Sequence, residues 1–325
     1  MRTLGGSKVA VSALGFGAAT LGNLFREVSD EDAHAAVDAA WAAGVRYFDT
    51  APHYGLGLSE RRLGEALRGR PRDAYTLSTK AGRLLVPDGA DGAGGSGGTD
   101  EGFAVAADRR RVWDFSADGV RRSIEDSLTR LGLDRIDVVY LHDADECGDG
   151  GEQALREAYP ALERMRAEGT VGAIGAGMNQ VAPLERYLRE TDADVLLCAG
   201  RYSLLDQRAG TSLLPEALRR GRSVVIGGVF NSGLLADPQP GATYDYKAAS
   251  VDLLGRALRI KAVAEAHGVP LRAAALNFPF RHPAVASVLV GMRSAAEAAD
   301  AAAMLAVRVP GELWDELREE GLLTL

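Results

Sequence analysis

Four polar side chains of types that can move a proton occur in the first half of the chain: Asp49, Tyr54, Lys80 and His142. A phenol has an ordinary pKa of about 10, so it exchanges protons poorly at neutral pH unless its surroundings change that value. A nearby ammonium favours the phenolate, and a carboxylate keeps that ammonium charged and in place. Tyrosine, lysine and aspartate together therefore predict a proton relay for carbonyl–alcohol chemistry, in which His142 orients the same oxygen.

Each of these side chains follows a predicted strand. Residues 45–48 form a largely apolar run that contains Arg46, and Pro52 and Gly55 prevent its continuation as a strand. Strands predicted over 75–79 and 136–141 end at the lysine and the histidine. Because α/β folds keep their active sites at the carboxyl ends of parallel strands, the four side chains are expected to meet there.

The rest of the chain continues the same alternation of apolar runs and helical patterns. Strands are predicted over 14–17, 45–49, 75–79, 136–141, 173–177, 195–199, 223–228 and 287–290. Helices are predicted over about 29–43, 59–68, 116–132, 160–169, 183–189, 212–220, 252–267 and 271–281, from 294 onward and around Trp314. Unbroken apolar strands are typical of parallel sheets buried on both faces. Eight strand–helix units predict an α/β protein with a (β/α)8 TIM barrel, a single domain over 1–325, with an N-terminal β-hairpin over 1–11 and an extra C-terminal helix.

A doubly wound sheet is the second fold considered. It is disfavoured because no predicted strand is followed by G-x-G-x-x-G. The third glycine of that motif is replaced by Thr20 after Gly15 and Gly17, and by Glu60 after Gly55 and Gly57. The chain also has no Walker lysine.

Composition limits the possible partners. The chain has 325 residues, is 46% hydrophobic and 25% charged, and carries a net charge of −8, which disfavours nucleic acid and anionic membranes. No apolar run approaches the eighteen or so residues of a spanning helix, and the first residues do not resemble a signal peptide, so a cytoplasmic location and no membrane partner are expected. Cys147 and Cys198 form no metal-binding motif, and no metal is predicted. The sequence leaves the oligomeric state open.

Three polar stretches follow predicted strands and are expected at the mouth of the barrel. Residues 87–102 (PDGADGAGGSGGTDEG) are too rich in glycine to pack a core and predict a flexible loop. Residues 143–151 and roughly 230–250 form the other two. Long loops at this face predict a substrate pocket. His53 and Trp113 are predicted to line it. Trp113 is equally compatible with core packing, and 108–111 is interpreted as a solvated run of charges.

Four motifs resemble the aldo-keto reductase family over essentially the whole chain: DTAPHYG at 49–55, SERRLGEAL at 59–67, STK at 78–80 and YLHD at 140–143. The resemblance implies a catalytic tetrad and a nicotinamide nucleotide bound without a Rossmann fold. In that tetrad Tyr54 is the acid/base, and Lys80 and Asp49 tune its pKa. His142 orients the carbonyl.

The resemblance also implies a set of cofactor contacts. They are Gly17, Ala18, Asn179, Arg201, Phe230, Asn231, Ser232, Gly233, Leu235, Gly291, Arg293 and Glu297. Asn179 matches a residue that holds the carboxamide, whereas Met178 replaces the usual serine. Arg201 stands where glutamine is common, and a structural ion pair is its alternative role. Phe230 is the proposed stacking residue for the nicotinamide.

Cofactor choice depends on the last of these positions. Gly291 and Glu297 occupy places where many relatives carry a lysine and an arginine for a 2′-phosphate. A carboxylate would repel that phosphate and accept a hydrogen bond from a ribose hydroxyl, so NAD is expected over NADP. Arg293 argues the other way, and Glu297 has an alternative role in a capping box with Ser294.

Two further motifs resemble the aldose 1-dehydrogenase branch, which includes L-fucose (D-threo-aldose), L-galactose and pyridoxal dehydrogenases. They are LCAGRYSLLDQ at 197–207 and VIGGVFNSGLLA at 225–236. The resemblance implies oxidation of a cyclic sugar at C1 to the lactone, with Tyr54 as the base. Alternatives are pyridoxal oxidation, NADPH-dependent reduction of an aldehyde or ketone, and a non-catalytic nucleotide-binding regulatory subunit.

Overall fold

The computed structural model describes residues 1–88, 101–106 and 108–324, and its centre is a closed barrel of eight parallel strands. The strands of the described chain are β1 (Arg2–Thr3), β2 (Ala10–Val11), β3 (Leu14–Gly17), β4 (Tyr47–Asp49), β5 (Thr76–Ala81), β6 (Arg83–Pro87), β7 (Arg109–Trp113), β8 (Ile136–His142), β9 (Val171–Met178), β10 (Val195–Ala199), β11 (Ser223–Gly227), β12 (Thr243–Tyr244), β13 (Lys247–Ala248) and β14 (Val285–Gly291). The barrel runs β3-β4-β5-β8-β9-β10-β11-β14 and closes back on β3. The predicted (β/α)8 barrel is confirmed.

Helices surround the barrel. They are α1 (Asp30–Ala42), α2 (Leu58–Leu67), α3 (Ala117–Leu131), α4 (Tyr159–Ala167), α5 (Val181–Glu190), α6 (Arg208–Thr211), α7 (Leu213–Arg219), α8 (Val251–Ala266), α9 (Leu271–Asn277), α10 (Ala295–Ala306) and α11 (Gly311–Glu319). Several begin as the sequence predicts: the hydroxyls of Ser29, Ser116 and Ser294 accept hydrogen bonds from first-turn N–H groups. The extra C-terminal helix is α11, which packs against α8.

The barrel has two separate apolar cores. The larger core lies between the strands and the helices. The smaller one fills the barrel interior, and the N-terminal hairpin adds Leu4 and Val11 to it, both fully buried. Because this core fills the barrel interior, the polar side chains that point inward reach solvent at the carboxyl ends of the strands.

The segment after β5 differs from the prediction, which left it irregular. β6 and β7 form an antiparallel hairpin in which Arg83 lies opposite Trp113 and Leu85 lies opposite Arg111. The predicted flexible loop falls mostly on residues 89–100, which lie outside the described residues. Its described ends are held, since the N–H of Asp88 donates to Asp108 O at 3.1 Å. The hairpin therefore carries defined side chains over the barrel mouth.

The helix around Pro160 also begins earlier than predicted. A π-helical turn over Ala154–Ala158 runs directly into α4, so the proline lies inside a longer helical segment. A π turn widens the helix and relieves the clash that a proline ring makes with the preceding turn. No helix of the described chain has the length and apolar character needed to cross a membrane. That 1–325 form one domain stays a prediction.

Candidate active site

Asp49 and Lys80 form a buried ion pair at the carboxyl ends of β4 and β5. Lys80 Nζ donates to Asp49 Oδ2 at 2.7 Å and to the backbone oxygen of Thr50 at 2.9 Å. Ser78 Oγ donates to the other carboxylate oxygen at 2.7 Å. Burial opposes the charge on Lys80, but Asp49 and then Tyr54 outweigh it and raise the lysine pKa above its usual value. The ammonium is therefore charged throughout the physiological range.

Tyr54 lies in a tight turn directly above this pair. Lys80 Nζ is 4.7 Å from the centroid of its ring. The turn depends on Gly55, which has a φ of 61° and lies against Gly22, where a Cβ atom would come within 2.3 Å of the backbone oxygen. Burial raises the pKa of Tyr54 to about 12, although Lys80 lowers it as expected. The side chain is therefore a neutral phenol at neutral pH.

His142 ends β8 and faces the same point. Its ring centroid is 5.9 Å from that of Tyr54, and its Nε2 lies 3.3 Å from Asp143 Oδ2. Its buried Nδ1 has no hydrogen-bond partner in the described part of the chain. Burial, followed by the charges of Arg83 and Lys80, lowers the pKa of His142 well below its usual value. A neutral imidazole can orient an oxygen through a hydrogen bond without changing its own charge.

These side chains open into a cavity of about 420 Å³. Its size is in the range of small-molecule sites, and it contains Tyr54, Lys80 and His142. The rest of its wall combines apolar residues, Leu24, Phe25, Phe103, Leu197 and Tyr246, with polar ones, His53, Glu101, Asp143 and Asn179.

His53, a predicted substrate residue, lines this cavity. Its ring lies 5.5 Å from that of His142 and 5.2 Å from that of Phe103. Burial, followed by the charges of Arg83 and Arg111, lowers the pKa of His53 to about 2. The imidazole is therefore neutral.

Trp113, the other predicted substrate residue, is absent from the cavity wall as far as the described residues define it. It stacks on Phe115 at 5.7 Å between ring centroids, and the guanidinium of Arg83 lies 4.2 Å above its ring. Its role here is to support the arginine behind the cavity.

Sequence reasoning missed two arginines that contact polar residues of the cavity wall. Arg83 Nη2 donates to Asp143 Oδ2 at 2.7 Å, and Arg111 Nη2 donates to His53 O at 2.9 Å. Glu101 lies 3.7 Å from Arg83 Nη1 and 3.9 Å from Arg111 Nη1. The side chain of Arg111 is only 7% exposed, so the interpretation of 108–111 as a solvated run is wrong at this residue. The apolar run 84–86 after Arg83 was the available strand signal.

The predicted cofactor residues lie in three groups: those at or just after the ends of β3, β9, β10 and β14, those in the turn after β11, and those at the start of α10. In the first group, Asn179 is the member that lines the described cavity, beside Gly177 and the buried Met178. Gly17 ends β3, next to Gly291 at the end of β14, and Ala18 follows it. The guanidinium of Arg201 is already occupied, since it donates to Asn179 O at 2.8 Å and to Asp245 Oδ2 at 2.8 Å. This geometry favours the ion-pair role that was its alternative.

The second group is the turn after β11. Asn231 and Ser232 have φ values of 46° and 58°, a conformation that non-glycine residues rarely adopt. The carboxamide of Asn231 is buried and accepts from Ser203 Oγ at 2.6 Å. Phe230 packs at the edge of the outer core, and Phe230, Gly233 and Leu235 lie outside the cavity wall as described.

The third group lies at the start of α10. Glu297 Oε2 accepts from the N–H of Arg293 at 2.8 Å, and the N–H of Glu297 donates to Ser294 Oγ at 3.3 Å, so the capping role holds. The buried Nε of Arg293 has no hydrogen-bond partner in the described chain. Buried donors are normally paired, so an unpaired guanidinium nitrogen fits an oxygen-rich ligand such as a nucleotide. Among the described residues, no cluster of three or more metal-binding side chains occurs.

Comparison with known proteins agrees with this arrangement. The sequence pattern of the Aldo/keto reductase family matches residues 13–320. D-threo-aldose 1-dehydrogenase of Pseudomonas sp is 48% identical over 97% of this chain and 95% of its own length. Pyridoxal 4-dehydrogenase of Microbacterium luteolum is 40% identical over 99% of this chain and 98% of its own. The structure of an aldo-keto reductase from Bacillus halodurans in its holo form superimposes with a TM-score of 0.75, at 26% identity over 98% of this chain and 95% of that one.

Proposed function

The chain belongs to the aldo/keto reductase family of oxidoreductases, and on this premise we propose that it is an NAD(P)-dependent aldose 1-dehydrogenase. Its proposed reaction is oxidation of a cyclic sugar at C1 to the lactone. One observation carries the proposal: a charged lysine, a buried tyrosine and a neutral histidine share one cavity in a chain 48% identical to D-threo-aldose 1-dehydrogenase. The presence of all four tetrad side chains argues against a non-catalytic nucleotide-binding subunit.

The proton of the C1 hydroxyl is taken by Tyr54 in its phenolate form, which is the minority form at neutral pH because burial raises the pKa of the phenol to about 12. Lys80 favours that form because its ammonium lies 4.7 Å from the ring, and Asp49 keeps the ammonium in place at 2.7 Å. His142, held neutral, donates a hydrogen bond to the same oxygen while the carbonyl forms. When bound, a nicotinamide cofactor supplies the hydride acceptor.

The cofactor would be held by residues from several strand ends. Asn179 lies in the cavity wall and is the proposed partner of the carboxamide. Arg293, with its unpaired Nε, is the proposed partner of the adenosine end. Gly17 and Gly291 let the ends of β3 and β14 pack closely, since a Cβ on Gly291 would lie 3.1 Å from the side chain of Thr20.

We further propose that NAD is preferred over NADP. The Glu297 carboxylate accepts from the backbone N–H of Arg293 at 2.8 Å, so it places a negative charge at the start of α10 and disfavours a 2′-phosphate there. We expect kcat/KM for NAD to exceed that for NADP by about tenfold, which corresponds to about 1.4 kcal/mol. Equal values for the two cofactors would contradict this preference.

The function is tested with a panel of sugars and carbonyl compounds. Purified enzyme with NAD should form NADH with L-fucose, D-arabinose or L-galactose, and the lactone should be the product. Tyr54→Phe, assayed beside it, should form almost none. If the enzyme turned over only aldehydes with NADPH, it would be a carbonyl reductase and the proposed function would be wrong.

Pyridoxal oxidation is the second candidate, and the aromatic residues of the cavity wall favour it. Phe25, Phe103 and Tyr246 offer ring faces to a flat aromatic substrate, and a relative at 40% identity is a pyridoxal 4-dehydrogenase. The ratio of kcat/KM for pyridoxal to that for L-fucose decides between the two. We expect this ratio to be below one.

A further inference from the structure

Asp143 places a carboxylate in the cavity wall without a part in the proton transfer described above. Its φ of 43° lies in the left-handed region, which few residues other than glycine adopt. The N–H of Asp143 is tied to Gly177 O at 2.9 Å, so the strained backbone is fixed between β8 and β9. Strained residues at cavity walls often serve function, because the conformation persists only where neighbours enforce it.

Arg83 holds this carboxylate in one orientation. Its Nη2 donates to Asp143 Oδ2 at 2.7 Å, and its side chain is only 8% exposed. The guanidinium also stacks 4.2 Å above the ring of Trp113, its cross-strand neighbour in the hairpin. An arginine fixed from two sides positions a carboxylate more precisely than a flexible surface partner does.

The carboxylate shares the cavity wall with aromatic rings. Phe25 and Tyr246 lie 5.4 Å apart between ring centroids, and Phe103 lies 6.0 Å from Tyr54. A sugar ring presents hydroxyls at its edge and C–H groups on its faces. Carboxylates accept strong hydrogen bonds from hydroxyls, and aromatic rings pack against C–H faces, so a wall with both groups matches the two kinds of surface of a sugar.

The distance between Asp143 and His142 points to one particular hydroxyl. His142 Nε2 is 3.3 Å from Asp143 Oδ2. Oxygens on neighbouring sugar carbons are separated by about one hydrogen-bond length, so an oxygen at C1 held by His142 brings the next hydroxyl to Asp143.

We propose that Asp143 is a specificity-determining residue that accepts a hydrogen bond from the sugar hydroxyl on C2, and that Arg83 is the positioning residue for it. This inference rests on the proposed function and assigns the substrate feature that the same site selects. A substrate without that hydroxyl cannot donate to the carboxylate, which weakens binding in the transition state.

The charge state of Asp143 sets the conditions of the test. Burial raises the pKa of Asp143 to about 7, while Arg83 acts to lower it and Glu146 and Asp145 act to raise it. Lys80 is the further positive charge near the group. Assays at pH 8 therefore keep the carboxylate ionised and able to accept.

The experiment compares L-fucose with 2-deoxy-L-fucose in wild type, Asp143→Asn and Asp143→Ala. We expect wild type to prefer L-fucose by roughly 10- to 100-fold in kcat/KM, which is the effect of one hydrogen bond to a charged group. Asp143→Ala should bring the ratio close to one, and Asp143→Asn should reduce it in part. Arg83→Lys should lower the same ratio without changing the cofactor KM.

Glu146→Gln is the matched control. Its carboxylate lies 3.4 Å from the same guanidinium, but it is 56% exposed and outside the cavity wall as described. The L-fucose preference should stay at the wild-type value in this variant.

The outcomes separate this inference from the proposed function. A wild-type enzyme that oxidises L-fucose and 2-deoxy-L-fucose equally well overturns the inference and leaves the function standing, whatever the variants do. An unchanged ratio in both Asp143 variants overturns the inference as well. A wild-type enzyme that oxidises no aldose overturns the proposed function itself.

Discussion

Two ionic groups face the same cavity, and they are built in different ways. The inner pair, Asp49 and Lys80, comes from adjacent barrel strands, and its side chains are 4% and 2% exposed. The outer pair, Arg83 and Asp143, joins a hairpin to a strand end, and the nearby Glu101 is 54% exposed. The inner pair controls a proton, whereas the outer pair contacts the region where a substrate would lie.

This difference separates chemistry from recognition. The inner pair cannot change without disturbing β4 and β5, because both partners are enclosed by the barrel. The hairpin of β6 and β7 pairs with itself outside the barrel, so its side chains can vary without breaking a barrel strand. A fold can thus keep one reaction and alter its substrate through such an addition.

Tyr54→Phe should have the largest effect on turnover. The phenyl ring keeps the contact with Lys80, at 4.7 Å in wild type, so only the proton path is lost. We expect kcat to fall by roughly 10²- to 10⁴-fold, the usual contribution of a general acid or base, with cofactor affinity nearly unchanged. Tyr75→Phe, at the residue before β5, is the matched control. Undiminished turnover in Tyr54→Phe would assign the proton to another group.

Lys80→Met should have the largest effect on stability. It leaves the Asp49 carboxylate buried without its cation, and breaking a buried pair in this way costs about 3–5 kcal/mol. Urea unfolding measures the loss. The double variant Asp49→Asn/Lys80→Met should recover most of it, because no uncompensated charge remains. An equal loss in the single and double variants would show that packing, and not charge, holds this region.

Arg83→Met tests the outer pair in the same assay and should cost less, about 1–3 kcal/mol at pH 8. The pKa of Asp143 is about 7 in the folded protein and about 4 when unfolded, so the folded state gains stability from its proton below pH 4. That contribution is lost as pH rises to 7. Removing Arg83 raises this pKa further, so the cost should shrink between pH 8 and pH 5.5. A cost that is independent of pH would mean that Arg83 does not act through Asp143.

The inner pair was predictable from sequence for a physical reason. Apolar strands of four or five residues end abruptly at Asp49 and near Lys80, and barrel closure brings successive strand ends together. The same logic placed His142, and capping serines placed several helices. Local patterns are sufficient where the backbone itself fixes the position of the side chain.

The outer pair was not predictable because its position depends on contacts that no local pattern records. Arg83 and Arg111 are ordinary surface residue types, and their burial follows from the pairing of β6 with β7 across a stretch of about twenty residues. The high pKa of Tyr54 was missed for a similar reason: the charge of Lys80 is visible in sequence, whereas the burial that outweighs it is not.

The last effect, which appears only in acid, is expected from His53, whose ring lies beside those of Tyr54 and His142. Burial lowers its folded-state pKa to about 2, whereas an unfolded histidine has a pKa of about 6.5. The unfolded state therefore binds the extra proton below pH 6.5. As pH falls below that value, this residue should lower the free energy of unfolding by about 1.4 kcal/mol per pH unit.

His53→Phe keeps a ring against Phe103 and removes the titrating group, so its stability should fall less steeply between pH 6.5 and pH 5. His34→Gln is the control, because His34 lies on α1 with 40% of its side chain exposed. If His53→Phe and wild type lose stability in parallel, the acid sensitivity belongs to His142. The group that takes up the proton would then be His142 at the end of β8, and Arg83 and Arg111 would act on substrate recognition alone.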